Sequence, residues 1–385
     1  MQGLNGLTFF GFFALLLART VDSIGRIPAD PGYQYIQEAA QFGLRSVFFG
    51  DPYFHLVTRL MAWVTTWSPL GWHAVILSLM AHALWSGCAV AIANVVWRER
   101  SKRWVGTVSG LFLVTAPHAS ESILGSIGSI KWPLLSAAII ICSSSRTLLA
   151  RPISAGALLI AVGLTQPLTF VCLLPLLWIA LRRSDVRPTA IRLCAIVSLT
   201  LLAQVLKVGL ESASSGRTAR ITEPWSGMGV FWWSGLFGPI IVSSVVALTA
   251  LFQNPRRVLM NSLSSLLCVT AVTTCVFSYL MGGIADRYFV APLTLSFVAA
   301  TILLSDARSG STLRRVSLAT TFALVVLIPT VKWFPASWYL TGGPTWSSEV
   351  ARAKAVCSTS GSQQVSLTIT VDSTVELECE YVLRG

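Results

Sequence analysis

The sequence is poor in charge. Across 385 residues, Asp, Glu, Lys and Arg together make up 11%, and only 16 residues are acidic. Soluble domains carry about 25% charged residues. The deficit excludes an ordinary soluble enzyme, a disordered chain and a nucleic-acid-binding domain. Histidine is scarcer still. The four copies, His55, His73, His82 and His118, form no cluster with metal-ligand spacing. There is no Walker loop, no Rossmann glycine fingerprint and no HExxH motif, which excludes an ATP-driven transporter working by itself.

Apolar residues are abundant. They form 54% of the chain, and the mean hydropathy is +0.69. Stretches without Asp, Glu, Lys or Arg run over 60–97, 104–120, 152–181, 224–255, 258–285, 288–305 and 316–331. A helix that crosses a bilayer needs about 20 such residues. The net charge of +12 therefore has a topological reading, because Lys and Arg gather in cytoplasmic loops. Short basic clusters separate the apolar stretches: Arg98, Arg100, Lys102 and Arg103; Arg146 and Arg151; Arg182, Arg183, Arg187 and Arg192; Arg256 and Arg257; and Arg308, Arg314 and Arg315.

If all five clusters are cytoplasmic, the chain crosses an even number of times between neighbours. The stretch 104–145 is then two crossings with an outer turn near Pro117–Ser129, and 152–181 is two short crossings turning at Gln166-Pro167. With a first helix at 6–19 and a return at 72–97, the expected fold is an all-α polytopic membrane protein with about 11 transmembrane helices. The expected site is the plasma membrane, with the N-terminus cytoplasmic and the C-terminus outside. The apolar run Leu7–Leu17 has no basic region before it and no small-x-small cleavage site after it, so it reads as the first membrane helix.

Residues 1–332 form the expected transmembrane domain, with a long first outer loop over 20–70. Tyr33–Leu44 and Pro52–Trp67 read as helices lying along the interface, with His55 and Arg59 four apart on one face of the second. A second outer loop over Glu211–Trp225 carries Arg217 and Arg220, followed by the aromatic residues Phe231, Trp232 and Trp233. Trp at this depth is ordinary anchoring at the headgroup level.

The tail, 333–385, differs in composition. Trp346–Val356 predicts a short helix. Val365, Leu367, Ile369 and Val371, and then Val375, Leu377, Cys379 and Tyr381, alternate with polar residues on either side of Asp372-Ser373, which predicts an antiparallel hairpin. Cys357 and Cys379 are the two cysteines outside the expected helices. In an exported segment they are expected to pair. Closing a loop of this size adds about 3 kcal/mol. Cys88, Cys142, Cys172, Cys194, Cys268 and Cys275 read as small packing residues.

Ionisable groups recur at the expected outer ends of helices: Asp22 and Asp30, His118, Glu121 and Lys131, Lys207 and Glu211, Asp286 and Arg287, and Lys332. Each can be a solvated helix end. Together, Arg59, Lys131, Lys207, Arg217, Arg220 and Arg287 make a basic rim suited to phosphate.

Four segments in order resemble a known family. Pro52-Tyr53-Phe54-His55-Leu56-Val57-Thr58-Arg59-Leu60, Glu121–Trp132, Asp286–Pro292 and the tail with Trp346, Glu349, Cys357 and Cys379 are similar to those of actinobacterial polytopic membrane proteins that resemble the GT-C glycosyltransferase superfamily. The chain departs from that pattern at Pro52, where Gly is usual, and at Thr58, where Pro is usual. The resemblance implies a membrane-embedded glycosyltransferase. Its donor would be a polyprenyl-phosphate sugar, its acceptor a cell-envelope glycan or lipid, and its site the outer face. No nucleotide site is needed and no nucleic acid takes part. No cofactor is certain, and a divalent metal is compatible with such chemistry.

A general base is expected in the first outer loop. Asp30 is the first candidate and Asp22 the second, although Ala29-Asp30-Pro31-Gly32 is also a good turn or helix cap. His55, Arg59 and Glu121 would shape the donor or acceptor site. Lys207, Arg217, Arg220 and Arg287 would hold phosphate. Two other classes share this composition: a non-catalytic scaffold or assembly protein, and a secondary transporter or lipid flippase. The sequence shows no internal repeat of the kind transporters carry.

Overall fold

A computed structural model of the chain describes residues 2–27, 32–48, 53–115, 126–215, 262–282, 290–306, 343–370 and 373–385. These residues are mostly helical. In chain order the helices are α1 (Gln2–Arg19), α2 (Gly32–Phe42), α3 (Leu56–Thr65), α4 (His73–Arg100), α5 (Arg103–Thr115), α6 (Lys131–Cys142) and α7 (Ser145–Ala150), then α8 (Pro152–Gly163), α9 (Leu173–Arg182), α10 (Arg187–Ser215), α11 (Ser262–Gly282), α12 (Val290–Asp306) and α13 (Trp346–Thr359). A two-stranded antiparallel sheet, β1 (Gln364–Thr370) and β2 (Ser373–Glu378), precedes a last short helix, α14 (Cys379–Arg384).

Two helical stretches among the described residues, Leu70–Arg100 and Arg187–Leu210, are long and apolar enough to cross a membrane. Seven more are apolar but shorter, at 10–17 residues. The expectation of about 11 transmembrane helices therefore stands only in part. At 152–181 two short helices meet at the turn expected at Gln166-Pro167. The segment is broken by Gly163 at the end of α8 and by Pro167, which opens a 3-10 turn (Pro167–Cys172) ahead of α9. Pro cannot continue the hydrogen-bond ladder of a helix, and Gly weakens it. The crossings expected at about 236–252 and at 316–332 lie outside the described residues.

Helix α4 is the central post. It packs against α1, α5 and α6. Gly106 and Gly110 let α5 come close, since a Cβ on either would collide with the carbonyl oxygen of Ala93 or Ala89 on α4. Helix α10 sorts its faces at helical spacing. Ala190, Leu193, Val197, Thr200, Gln204 and Lys207 are buried, while Leu199, Leu202, Val205, Leu206 and Leu210 are exposed. An exposed apolar face of that extent suits lipid rather than water. The buried face is apolar along its first half and polar along its second, so it carries polar groups to one end of the fold.

The C-terminal segment matches its expected helix and hairpin, with one correction. Val365 faces Leu377 and Leu367 faces Val375 across the sheet, and all four are buried. Cys357 and Cys379 form a disulfide with Cα atoms 5.4 Å apart. The second strand does not run on through Cys379 and Tyr381 as the alternation predicts. It stops at Glu378, and Cys379 and Val382, three residues apart, are buried on one side of α14. Binding Cys379 to the last turn of α13 draws the chain out of the plane of the sheet.

Candidate functional site

The loop between α1 and α4 folds onto α8 and α10, and its contacts are specific. The main-chain N–H of Leu56 donates to the carbonyl of Leu164 at 3.1 Å, and that of Val57 donates to the Thr165 hydroxyl at 3.1 Å. The Phe54 N–H donates to Gln204 Oε1 at 3.1 Å, while Gln204 Nε2 donates to the Gly163 carbonyl at 3.0 Å. Thr58 Oγ1 donates to the Ile127 carbonyl at 3.1 Å. Buried polar groups must find partners, and here the partners come from three separate places: the end of α8, α10 and the turn at Ile127.

These bonds fix His55 in an unusual place. Pro52–Trp67 is expected to be one helix, but α3 begins at Leu56, and His55 sits just before it in the left-handed region, with φ 48° and ψ 40°. His55 and Arg59 are thus not two positions of one helical face. A left-handed non-glycine residue is uncommon and is held by its surroundings. Its imidazole lies between two tyrosines, with ring centroids 5.6 Å from Tyr35 and 6.0 Å from Tyr53.

Three cations lie close enough to this imidazole to act on its charge. Burial, and then the charges of Lys131, Arg59 and Lys207, hold His55 well below the usual histidine value of 6.5. His55 is therefore a neutral ring in a positive environment. Lys207, buried near the end of α10, donates from Nζ to the Phe48 carbonyl at 3.1 Å and lies 5.4 Å from the centre of the Phe54 ring. Lys131, at the start of α6, lies 5.7 Å from the Trp132 ring.

Arg59 is buried. Its Nη1 donates to Glu38 Oε2 at 2.5 Å and to the Ser46 carbonyl, and its guanidinium carbon lies 5.0 Å from the centre of the Tyr35 ring. One α2 surface thus serves both residues: Tyr35 contacts His55 and Arg59, and Glu38 neutralises Arg59.

The structure brings together His55, Arg59 and Lys207 from the expected set, and adds Lys131 from the basic rim. Asp22 is exposed in the turn after α1. Asp30, Glu121, Arg217, Arg220 and Arg287 lie outside the described residues. Glu38, Tyr35 and Gln204 carry no motif and were not singled out in the sequence. A carboxylate one turn before the α2 terminus, and a glutamine one turn before Lys207, are the signals that could have marked two of them. Among the described residues no group of three or more His, Cys, Asp or Glu is placed to hold a metal.

No family model and no curated protein matches the sequence. Among solved structures, the crystal structure of the Archaeoglobus fulgidus oligosaccharyltransferase, in complex with Zn and sulfate, matches with a TM-score of 0.55 over 92% of this chain, at 12% identity. This chain shares the fold of the matched part of that enzyme. It spans 56% of the length of that enzyme, and at this identity the likeness concerns the fold.

Proposed function

We propose that the chain is a membrane-embedded glycosyltransferase. It transfers a sugar from a polyprenyl-phosphate donor to a glycan or lipid acceptor of the cell envelope, on the outer face of the plasma membrane. The observation that carries the proposal is the convergence of Arg59, Lys131 and Lys207 on a buried, neutral His55, in a chain that shares the fold of the matched part of that oligosaccharyltransferase.

In the proposed reaction an acceptor hydroxyl attacks the anomeric carbon. A C–O bond to the acceptor forms, the C–O bond to phosphate breaks, and the hydroxyl proton passes to a carboxylate base. Asp30 is the first candidate for that base and Asp22 the second. The leaving polyprenyl phosphate gains negative charge, which nearby cations stabilise more in the transition state than in the ground state. Lys207 and Lys131 serve this purpose, with Arg217, Arg220 and Arg287 as further candidates. Arg59, held by Glu38 and Ser46, contributes its field from a fixed position. His55, being neutral, supplies a hydrogen bond without competing for the proton. Glu121 is a candidate for contact with the acceptor or donor. The described residues offer no metal ligand set, and no step here runs through one.

The test compares envelope glycans and lipid-linked sugars in a deletion strain complemented with wild type, Asp30→Asn or Lys207→Met. A sugar missing in the deletion, with donor lipid accumulating, restored by wild type and by neither variant, is the expected result. Unchanged glycans in every strain, with donor lipid at its normal level, overturn the proposal.

A further inference from the structure

The C-terminal segment touches the loop that builds the candidate site at three places. Trp346 is buried at the start of α13; its main-chain N–H donates to the Gly25 carbonyl at 2.9 Å and its Nε1 to the Leu70 carbonyl at 2.7 Å. The Arg26 guanidinium donates to the Gly343 carbonyl. The carbonyl of the last residue, Gly385, accepts the Leu70 N–H at 3.3 Å. Gly25 and Arg26 follow α1 and Leu70 precedes α4, so the segment grips both ends of the loop. Between these grips β2 packs against α2. Helix α2 is the element that sets Tyr35 against His55 and Glu38 against Arg59.

The segment itself is small. A unit of about 40 residues rarely holds its shape without a staple. Its disulfide joins the end of α13 to the start of α14. Glu349 braces the interior by accepting from the Thr368 N–H at 2.9 Å and from Arg352 at 2.8 Å, while Arg352 donates to the Ser366 carbonyl at 2.6 Å. A chain of contacts therefore runs from the Cys357–Cys379 bond through the hairpin and α2 to His55.

We propose that the C-terminal segment is a redox-dependent clamp, which holds α2 against His55 and Arg59 only once Cys357 and Cys379 have oxidised. This rests on the reading of the His55 cluster as an outward-facing phosphate site. The two thiols lose two protons and two electrons to a disulfide donor, which leaves as a dithiol, and the Sγ–Sγ bond forms. Thiols stay reduced in the cytoplasm and oxidise outside it, so the site is assembled after export and stays loose before it.

The test uses the full chain in lipid nanodiscs, oxidised or treated with a phosphine reductant, with trypsin as the probe. Reduction is expected to speed cleavage after Lys354 in α13 and after the exposed Arg45 beyond α2, each by about tenfold or more, as local opening becomes easier. Faster cleavage after Lys354 with no change after Arg45 overturns the clamp, because the tail has opened without freeing the loop. No change at either position, with both thiols shown to be alkylated, overturns it as well. The double variant Cys357→Ser, Cys379→Ser is expected to behave like the reduced chain, and reduction of the folded wild type decides the matter if that variant fails to fold. Binding of farnesyl phosphate is measured in parallel. If the oxidised chain does not bind it, the phosphate-site reading falls, and the clamp is still judged by cleavage after Arg45.

Discussion

Gln204 and Lys207 stand one turn apart on the buried face of α10, and together they hold both ends of the segment from Phe48 to Phe54. Gln204 accepts the Phe54 N–H, and Lys207 donates to the Phe48 carbonyl. A helix of membrane length thus reaches into the candidate site with one amide and one cation. Their roles separate on mutation. Gln204→Leu leaves the Phe54 N–H and the Gly163 carbonyl without this partner and is expected to cost about 2–4 kcal/mol, read as a lower unfolding temperature. Lys207→Met keeps most of the stem, and its main effect is expected on farnesyl phosphate affinity, which falls about tenfold or more. Unchanged affinity would mark Lys207 as a clip for Phe48 alone.

Glu38 and Arg59 form a pair whose arginine side chain is fully buried and whose carboxylate is 22% exposed. Removing one member of a buried pair leaves the other charge uncompensated. Glu38→Gln and Arg59→Met are each expected to destabilise the fold, and a double-mutant cycle is expected to give a coupling of about 1–3 kcal/mol, reduced from the fully buried case by the exposure of Glu38. A coupling near zero would show that solvent screens the pair.

His55 makes stability depend on pH. Its folded value lies well below 6.5, owing to burial and then to Lys131, Arg59 and Lys207. Below 6.5 the unfolded chain takes up a proton that the folded chain refuses, so stability is full above that value and falls as the pH drops. Tyr35 and Tyr53 also face the ring, and Glu38 lies behind Tyr35 on the Arg59 side. Unfolding temperature measured from pH 7.5 to 5 is expected to decline, and His55→Asn is expected to make that decline shallower. An equal slope in both proteins would refute the assignment.

Glu349 adds a second, more acidic limb. Its bonds to Arg352, followed by the Thr368 N–H, hold the carboxyl below its usual 4.5. This stabilisation is present above the ordinary value and is lost as the pH falls through the lowered one. Glu349→Gln is expected to weaken the C-terminal segment near neutral pH and to remove its acid sensitivity. Unfolding temperature of both proteins between pH 6 and 3 measures this, and an equal decline in the two would refute it.

Asp22 provides a contrast. It is exposed in the turn after α1, so Asp22→Asn is expected to change stability by less than about 0.5 kcal/mol. If Asp30 is the base, Asp22→Asn also restores envelope glycans in the deletion strain. Failure of a well-expressed Asp22→Asn to do so would move the role of base to Asp22.

Local rules made much of this protein legible in its sequence. Apolar runs and their helical period anticipate α1, α4 and α10, because a long stretch without charge can bury its main chain only as a helix. Strict alternation anticipates β1 and most of β2. The pairing of Cys357 with Cys379 follows from where those two residues fall in the chain. Other features depended on distant partners. His55 reads as part of a helix, yet bonds from Leu164, Thr165 and Gln204 pull its neighbours out of that ladder. Cys379 reads as the continuation of a strand, yet its bond to Cys357 begins a helix. Glu38 and Tyr35 read as ordinary residues of an amphipathic helix. Spacing along a chain reports which face of an element a residue occupies, whereas the partner of that face is chosen by packing between segments far apart in sequence. The elements were therefore written locally, and the positive environment of His55 was decided only when α2, α3, α6 and α10 came together.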